Sequence, residues 1–182
     1  MAETLQQGID ENGVLQGDLV KYLKNVRDLV NSIQTEKLGD TLSSPPGLAI
    51  GSTAQNVAND EFHFKIAGNL HRKAAVAAGT ALNGVSVPQN EYAAWRFQIG
   101  TDGTIDVVRS TASGYASAVA AYQGVPVLAA DHVEMGYITV VKTDGNFVPT
   151  TTGLDDGNTT VVYTDGSTGK TDIVTTALTL DR

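Results

Sequence analysis

The sequence contains no cysteine, one tryptophan, two methionines and five prolines, and aromatic residues make up only 6% of it. The missing cysteine excludes disulfide scaffolds, thiol nucleophiles and Cys-ligated zinc or iron–sulfur sites. Positive charge is also short: 12 Lys and Arg stand against 20 Asp and Glu, for a net charge of −8. A chain of that sign lacks the basic footprint of a nucleic-acid binder, so nucleic acid is not expected as a partner. Long apolar runs are absent too. The longest, Ala74 to Ala78 and Val125 to Ala130, fall far below the ~20 residues that cross a bilayer, so no membrane span is expected. The opening residues, Met1 to Gly8, have neither a basic region nor an apolar core, which argues against a secretory leader and for synthesis in a cytoplasm.

What the chain does have is 182 residues, 41% of them hydrophobic, and 19 glycines. That is enough apolar material for one packed domain with an appendage. Residues 1–17 are polar and interrupted by Gly8, Gly13 and Gly17, the pattern of a flexible N-terminal arm. Asp18 then stands as an N-cap before the clearest helical pattern in the chain, an amphipathic helix expected over residues 18–38. Leu19, Leu23, Val26, Val30 and Ile33 recur at steps of four and three, the seam of a heptad, with Tyr22 and Leu29 widening the stripe. Such a stripe serves oligomerisation, for instance in a three-stranded bundle, or docking on a partner, or packing on the chain's own domain. The stretch from Gly39 to Gly47 contains Ser44-Pro45-Pro46, which favours an extended path. It places a linker over residues 39–60 and lets the helix stand apart.

From residue 61 to 182 the pattern becomes short β runs separated by Gly, Pro and Asp-Gly turns. Phe62, Phe64 and Ile66 alternate with polar residues, and the chain returns from Gly68-Asn69 through Leu70 to Val76. Glu91 to Ile99 holds Trp95 and Phe97 on one face, and Asp102-Gly103 folds it onto Thr104 to Arg109 as a hairpin. Alanines in Tyr115 to Gln123 favour a short helix near residues 115–123, stopped by Gly124 and Pro126. Val133 to Lys142 is a long strand, and Thr159 to Tyr163 pairs with Asp172 to Leu180. The expected fold is mainly β, an antiparallel sandwich or barrel. Its structural core is expected to contain Phe62, Phe64, Trp95, Phe97 and Tyr137.

Catalytic patterns are missing. His63, His71 and His132 do not fall at metal-ligand spacings, no Gly-x-Ser-x-Gly elbow occurs, and Gly166 to Thr171 has the wrong spacing and flanks for a phosphate loop. Asp155-Asp156-Gly157-Asn158 is oxygen-rich but lacks the alternating ligands of an EF-hand, so a plain turn is expected there. One tryptophan is sparse for sugar stacking. Arg96 and Arg109, with Arg72 and Lys73, are expected on solvated strand faces rather than in a basic patch. The expectation is a binding protein without catalytic residues, metal or cofactor.

Three strings of residues carry a family resemblance. The first is Phe64-x-Ile66-x-Gly68 closing on Lys73-Ala74-Ala75. The second runs from Tyr92 and Trp95 to Asp102-Gly103-Thr104-Ile105-x-Val107. The third is Asp131-His132-Val133 followed by Gly136-Tyr137-x-Thr139-Val140. Over about residues 60 to 155 the chain resembles virion structural proteins of tailed bacteriophages. The resemblance implies a capsid decoration (cement) or head-fibre protein, a homotrimer binding the major capsid protein or another virion protein at the capsid surface after synthesis in the bacterial cytoplasm. A tail, baseplate or receptor-binding module is the other place in a virion it fits, and a virion-associated hydrolase is a remoter one. These motifs are structural, and none brings a catalytic residue with it.

Overall fold

The structure is a computed structural model that describes residues 21–30 and 39–167. The chain divides into two units at Gly39/Asp40. In the first, residues 21–30 form helix α1. Leu19, Ile33, the arm and the expected 172–180 strand lie outside the described residues.

The described residues of the second unit are mainly β, with ten strands in three antiparallel sheets, none of them closed into a barrel. The first sheet orders β1 (Thr41–Leu42), β4 (Phe62–Ile66) and β5 (Asn69–Lys73) with β4 in the middle. In the second, β3 (Asn56–Asn59) lies between β2 (Ala49–Ile50) and β6 (Val76–Ala81). The third runs β10 (Thr159–Asp165), β9 (His132–Lys142), β7 (Tyr92–Gly100), β8 (Ile105–Arg109). Helix α2 (Ala118–Gln123) sits on β7 and β9, capped by the Ser117 hydroxyl, which accepts from the Ala120 amide, and ended by Gly124.

The expected linker is corrected here. Residues 40–60 contribute β1, β2 and β3 and bury Leu42, Leu48 and Val57. Asp40 accepts from the Ala67 amide at 2.8 Å, so the β unit begins there and not at residue 61. The hairpin turn after β4 also falls one residue earlier than its sequence pattern indicates. Ala67 and Gly68 both have positive φ, 49° and 78°, and Ile66 pairs directly with Asn69, a two-residue turn of the primed type.

One core joins the three sheets. Alternation drives it: Ala93, Trp95, Phe97 and Ile99 of β7 point one way and meet Ile138, Val140, Met135 and Val133 of β9. Phe62, Phe64, Ile66 and Leu42 from the first sheet and Val57 from the second complete the cluster, with Val87 and Phe147 bridged through paired backbone bonds of 2.8 and 2.9 Å. Tyr137 is corrected: it is half-buried on the opposite face of β9, outside this cluster. A bulge explains the placing. Phe97 pairs with Gly136 but Gln98 with Glu134, so one extra residue enters β9 and its facing shifts across Met135 and Gly136. Gly136 has φ 145°, and a Cβ there would stand 2.3 Å from the Thr164 carbonyl oxygen and 2.8 Å from Leu48 Cδ1. Only glycine fits that bulge.

Candidate functional site

Residues 21–30 are all solvent-exposed, including the apolar ones. Leu23 is 49%, Val26 40% and Val30 45% exposed, on one side of α1 by their three- and four-residue steps. Tyr22 and Leu29, each 56% exposed, extend the stripe. Arg27 and Asp28 pair at 3.4 Å in full solvent, a contact of little energetic weight. The stripe is what such a helix has to offer: covering a Leu or Val side chain contributes about 1.5–3 kcal/mol when burial is complete.

The β unit has a second notable face, the side of the third sheet that α2 covers. Arg96 and Gln98 are buried there at 5% and 3% exposure, and Arg96 Nη2 donates to Gln98 Oε1 at 3.2 Å. The expectation of a solvated Arg96 is therefore overturned, because α2 roofs that side of β7. Tyr122 of α2 stacks on Tyr137 with ring centroids 3.9 Å apart, and its hydroxyl donates to Glu134 Oε1 at 2.9 Å. Burial first, and then the bond to Glu134, push the Tyr122 phenol up to about 12 from the ordinary 10. The fold thus favours the neutral phenol: that contribution is complete below pH 10 and lost as pH rises through about 12. Tyr115 is shifted the other way, chiefly by the Thr111 hydroxyl and the Ala112 amide. A spectrophotometric titration is expected to show the Tyr115 phenol ionising below the ordinary 10 and a phenol near pH 12 that disappears in Tyr122→Phe. Ionisation of Tyr122 near pH 10 in a still-folded chain would mean that its bond to Glu134 does not hold.

The other basic residues are dispersed. Arg109 lies over the Trp95 ring, 5.5 Å from its centroid, and donates to the carbonyls of Ser110, Ala112 and Ser113. Arg72 pairs with Glu61, and Lys73 donates to the Gly103 carbonyl at 2.7 Å. Lys142, 8% exposed, holds Asp144 at 2.6 Å and Asp156 at 2.8 Å. Those two carboxylates raise the Lys142 pKa, and Lys142 together with the Asn158 amide lowers that of Asp156. The Asp155 to Asn158 stretch is thus a turn closed by a lysine. Among the described residues no three His, Asp or Glu side chains stand close enough to hold a metal ion. His71 stacks on Phe64, and His132 faces the Ala130 carbonyl and Asp106 with its two ring nitrogens.

Two further features were not singled out by motif or periodicity. Beside the N-terminal end of α2 a cleft of about 510 Å³ opens on the outer face of β9 and β10, with Tyr92, Ala118, Val141 and Val162 in its wall and no charged residue lining it. After α2, Pro126 to Ala130 are five consecutive exposed apolar residues, Val127 being 91% exposed. The sequence signal for the exposed run is the apolar stretch Val125 to Ala130, inside 21 residues without charge from Ser110 to Ala130, and the cleft, whose residues are scattered along the sequence, has none. No helix among the described residues is long and apolar enough to cross a membrane. No protein-family model, curated protein or solved structure matches this chain.

Proposed function

We propose that this chain is a structural protein of a tailed-bacteriophage virion, a capsid decoration or head-fibre protein that works by binding and not by catalysis. The observation that carries the reading is the exposed apolar stripe of α1, Leu23, Val26 and Val30, on a unit separate from the β unit. It is supported by the resemblance over residues 60 to 155, whose motif residues build the hairpins and the Gly136 bulge of the β unit. In this reading the three antiparallel sheets pack as a β-sandwich, and the stripe joins three copies or docks on the major capsid protein or another virion protein. The sandwich then bridges shell subunits or projects from them.

The energetics follow from linkage. A protein that binds only the assembled lattice stabilises it by RT ln(1 + [L]/Kd), about 2.7 kcal/mol per site at 100 times Kd. A trimer engaging three sites gains further through effective concentration. The chain is made in the bacterial cytoplasm and ends on the capsid surface, where a lack of cysteine leaves its stability independent of redox conditions. The test is the place of the chain in purified particles: many copies on the head support the reading. A few copies confined to the tail or baseplate, or none in the particle, refute it.

A further inference from the structure

The cleft beside α2 has an ordered floor. Two cross-strand rows underlie it, Tyr92, Val141 and Thr160 in one and Ala94, Thr139 and Val162 in the next, each running across β7, β9 and β10 on one face of the sheet. The wall mixes apolar groups with neutral polar ones, and the polar ones share a property. Among the described residues, the side chains of Asn90, Tyr92, Thr139 and Thr160, all lining the cleft, make no hydrogen bond. Thr139 matters most, because it is only 6% exposed and its hydroxyl still has no protein partner among them. Buried hydroxyls are ordinarily paired, and the open cleft is the side from which a partner reaches this one.

We propose that this cleft binds a neutral sugar. The chemistry of the wall selects that class. No charged residue lines the cleft, so a carboxylate, phosphate or ammonium group would give up water there without meeting a counter-charge. A hydrocarbon would cover the Thr139 hydroxyl and offer it nothing in return. Hydroxyls and amides each donate and accept, and so do the hydroxyls of a sugar. A saturated ring that bears them satisfies both halves of the wall: its O–H groups pair with Asn90, Tyr92, Thr139 and Thr160, and its C–H face rests on Val141, Val162 and the Tyr92 ring. The cleft volume falls in the range of ~300–1,000 Å³ in which compact ligands are held. The site is independent of the α1 stripe and of what the protein attaches to.

Heteronuclear NMR of the full chain, titrated with glucose, galactose, mannose and N-acetylglucosamine, tests the site. At least one of these sugars is expected to shift the amides of Tyr92, Val141 and Val162, with a Kd of about 1 mM, as suits an open site. Two controls probe the selection: glucuronate adds a carboxylate to the ring, and cyclohexanol keeps the ring but only one hydroxyl. Both are expected to bind at least about ten times more weakly. Thr139→Val removes the buried hydroxyl at nearly constant shape and is expected to weaken sugar binding about tenfold. Thr160→Val makes the same change at an exposed position, where the fold is not at stake, and is expected to weaken binding in the same direction. No shift at the cleft amides with any of the four sugars overturns the proposal. So does cyclohexanol or glucuronate binding as tightly as the best sugar, or full sugar binding by both threonine variants.

Discussion

Replacing Trp95 with alanine is expected to cost about 3–5 kcal/mol of unfolding free energy, the largest effect of any single substitution considered for this chain. Trp95 is fully buried at the centre of β7, where it packs edge-on against Phe147 at 5.9 Å. Its indole Nε1 donates to the Asn83 carbonyl at 2.8 Å, and Arg109 lies over its ring. The alanine variant therefore opens a cavity, leaves the Asn83 carbonyl without its donor and removes the surface on which the Arg109 guanidinium rests. Since whole domains are stable by about 5–15 kcal/mol, the loss takes a large share of the total. Urea denaturation followed by circular dichroism checks it, with the midpoint falling and the slope unchanged. Trp95→Phe keeps most of the buried ring and is expected to lose much less. A loss below about 1 kcal/mol for alanine would show that Trp95 is not at the centre of the core.

The second large effect concerns binding and not folding. Changing Leu23, Val26 and Val30 together to aspartate puts three carboxylates on the stripe of α1. Because all three side chains are exposed, the melting temperature of the β unit is expected to stay the same. On the proposed reading of a capsid-bound trimer, apparent affinity for capsids is expected to fall about 10²–10⁴-fold, the range that multivalent attachment supplies. Pelleting with capsids, alongside sedimentation of the isolated variant, measures both consequences. Unchanged capsid binding by this variant removes the role assigned to the stripe.

Much of the β unit was legible because its signals are local. Asp102-Gly103 between two alternating runs predicts the β7–β8 hairpin, and the Asp102 carboxylate accepts the Thr104 amide at 2.9 Å in that turn. The β4–β5 hairpin, the short helix ended by Gly124 and the long strand β9 are legible for the same reason. What was not legible depends on distant partners. β1 and β2 have two residues each, too few for any period, and become strands only because β4 and β3 lie beside them. Period two divides β9 into two faces but does not say which one meets the core, and the bulge at Gly136 breaks the period where Tyr137 begins. The burial of Arg96 depends on α2 crossing that face of the sheet, which no pattern within β7 encodes.

On the functional side, the heptad spacing of Leu23, Val26 and Val30 was legible, and the structure adds that their side chains are exposed. Loop and cleft were harder to find. Val127 and Leu128 stand out in the sequence only as part of the apolar run Val125 to Ala130, and their exposure is seen only in the structure. The cleft draws residues from β7, β9, β10 and α2, which lie far apart in the sequence and converge only in the fold.

The most direct test of the proposed virion role is a reconstruction of intact tailed-phage particles purified from cells that make this chain. The expected result is density for its β unit on the outside of the head, repeated over the shell in groups of three, with the α1 helices at the centre of each group or against the capsid floor. Density for the chain in the tail or baseplate, or particles without it, would contradict that account.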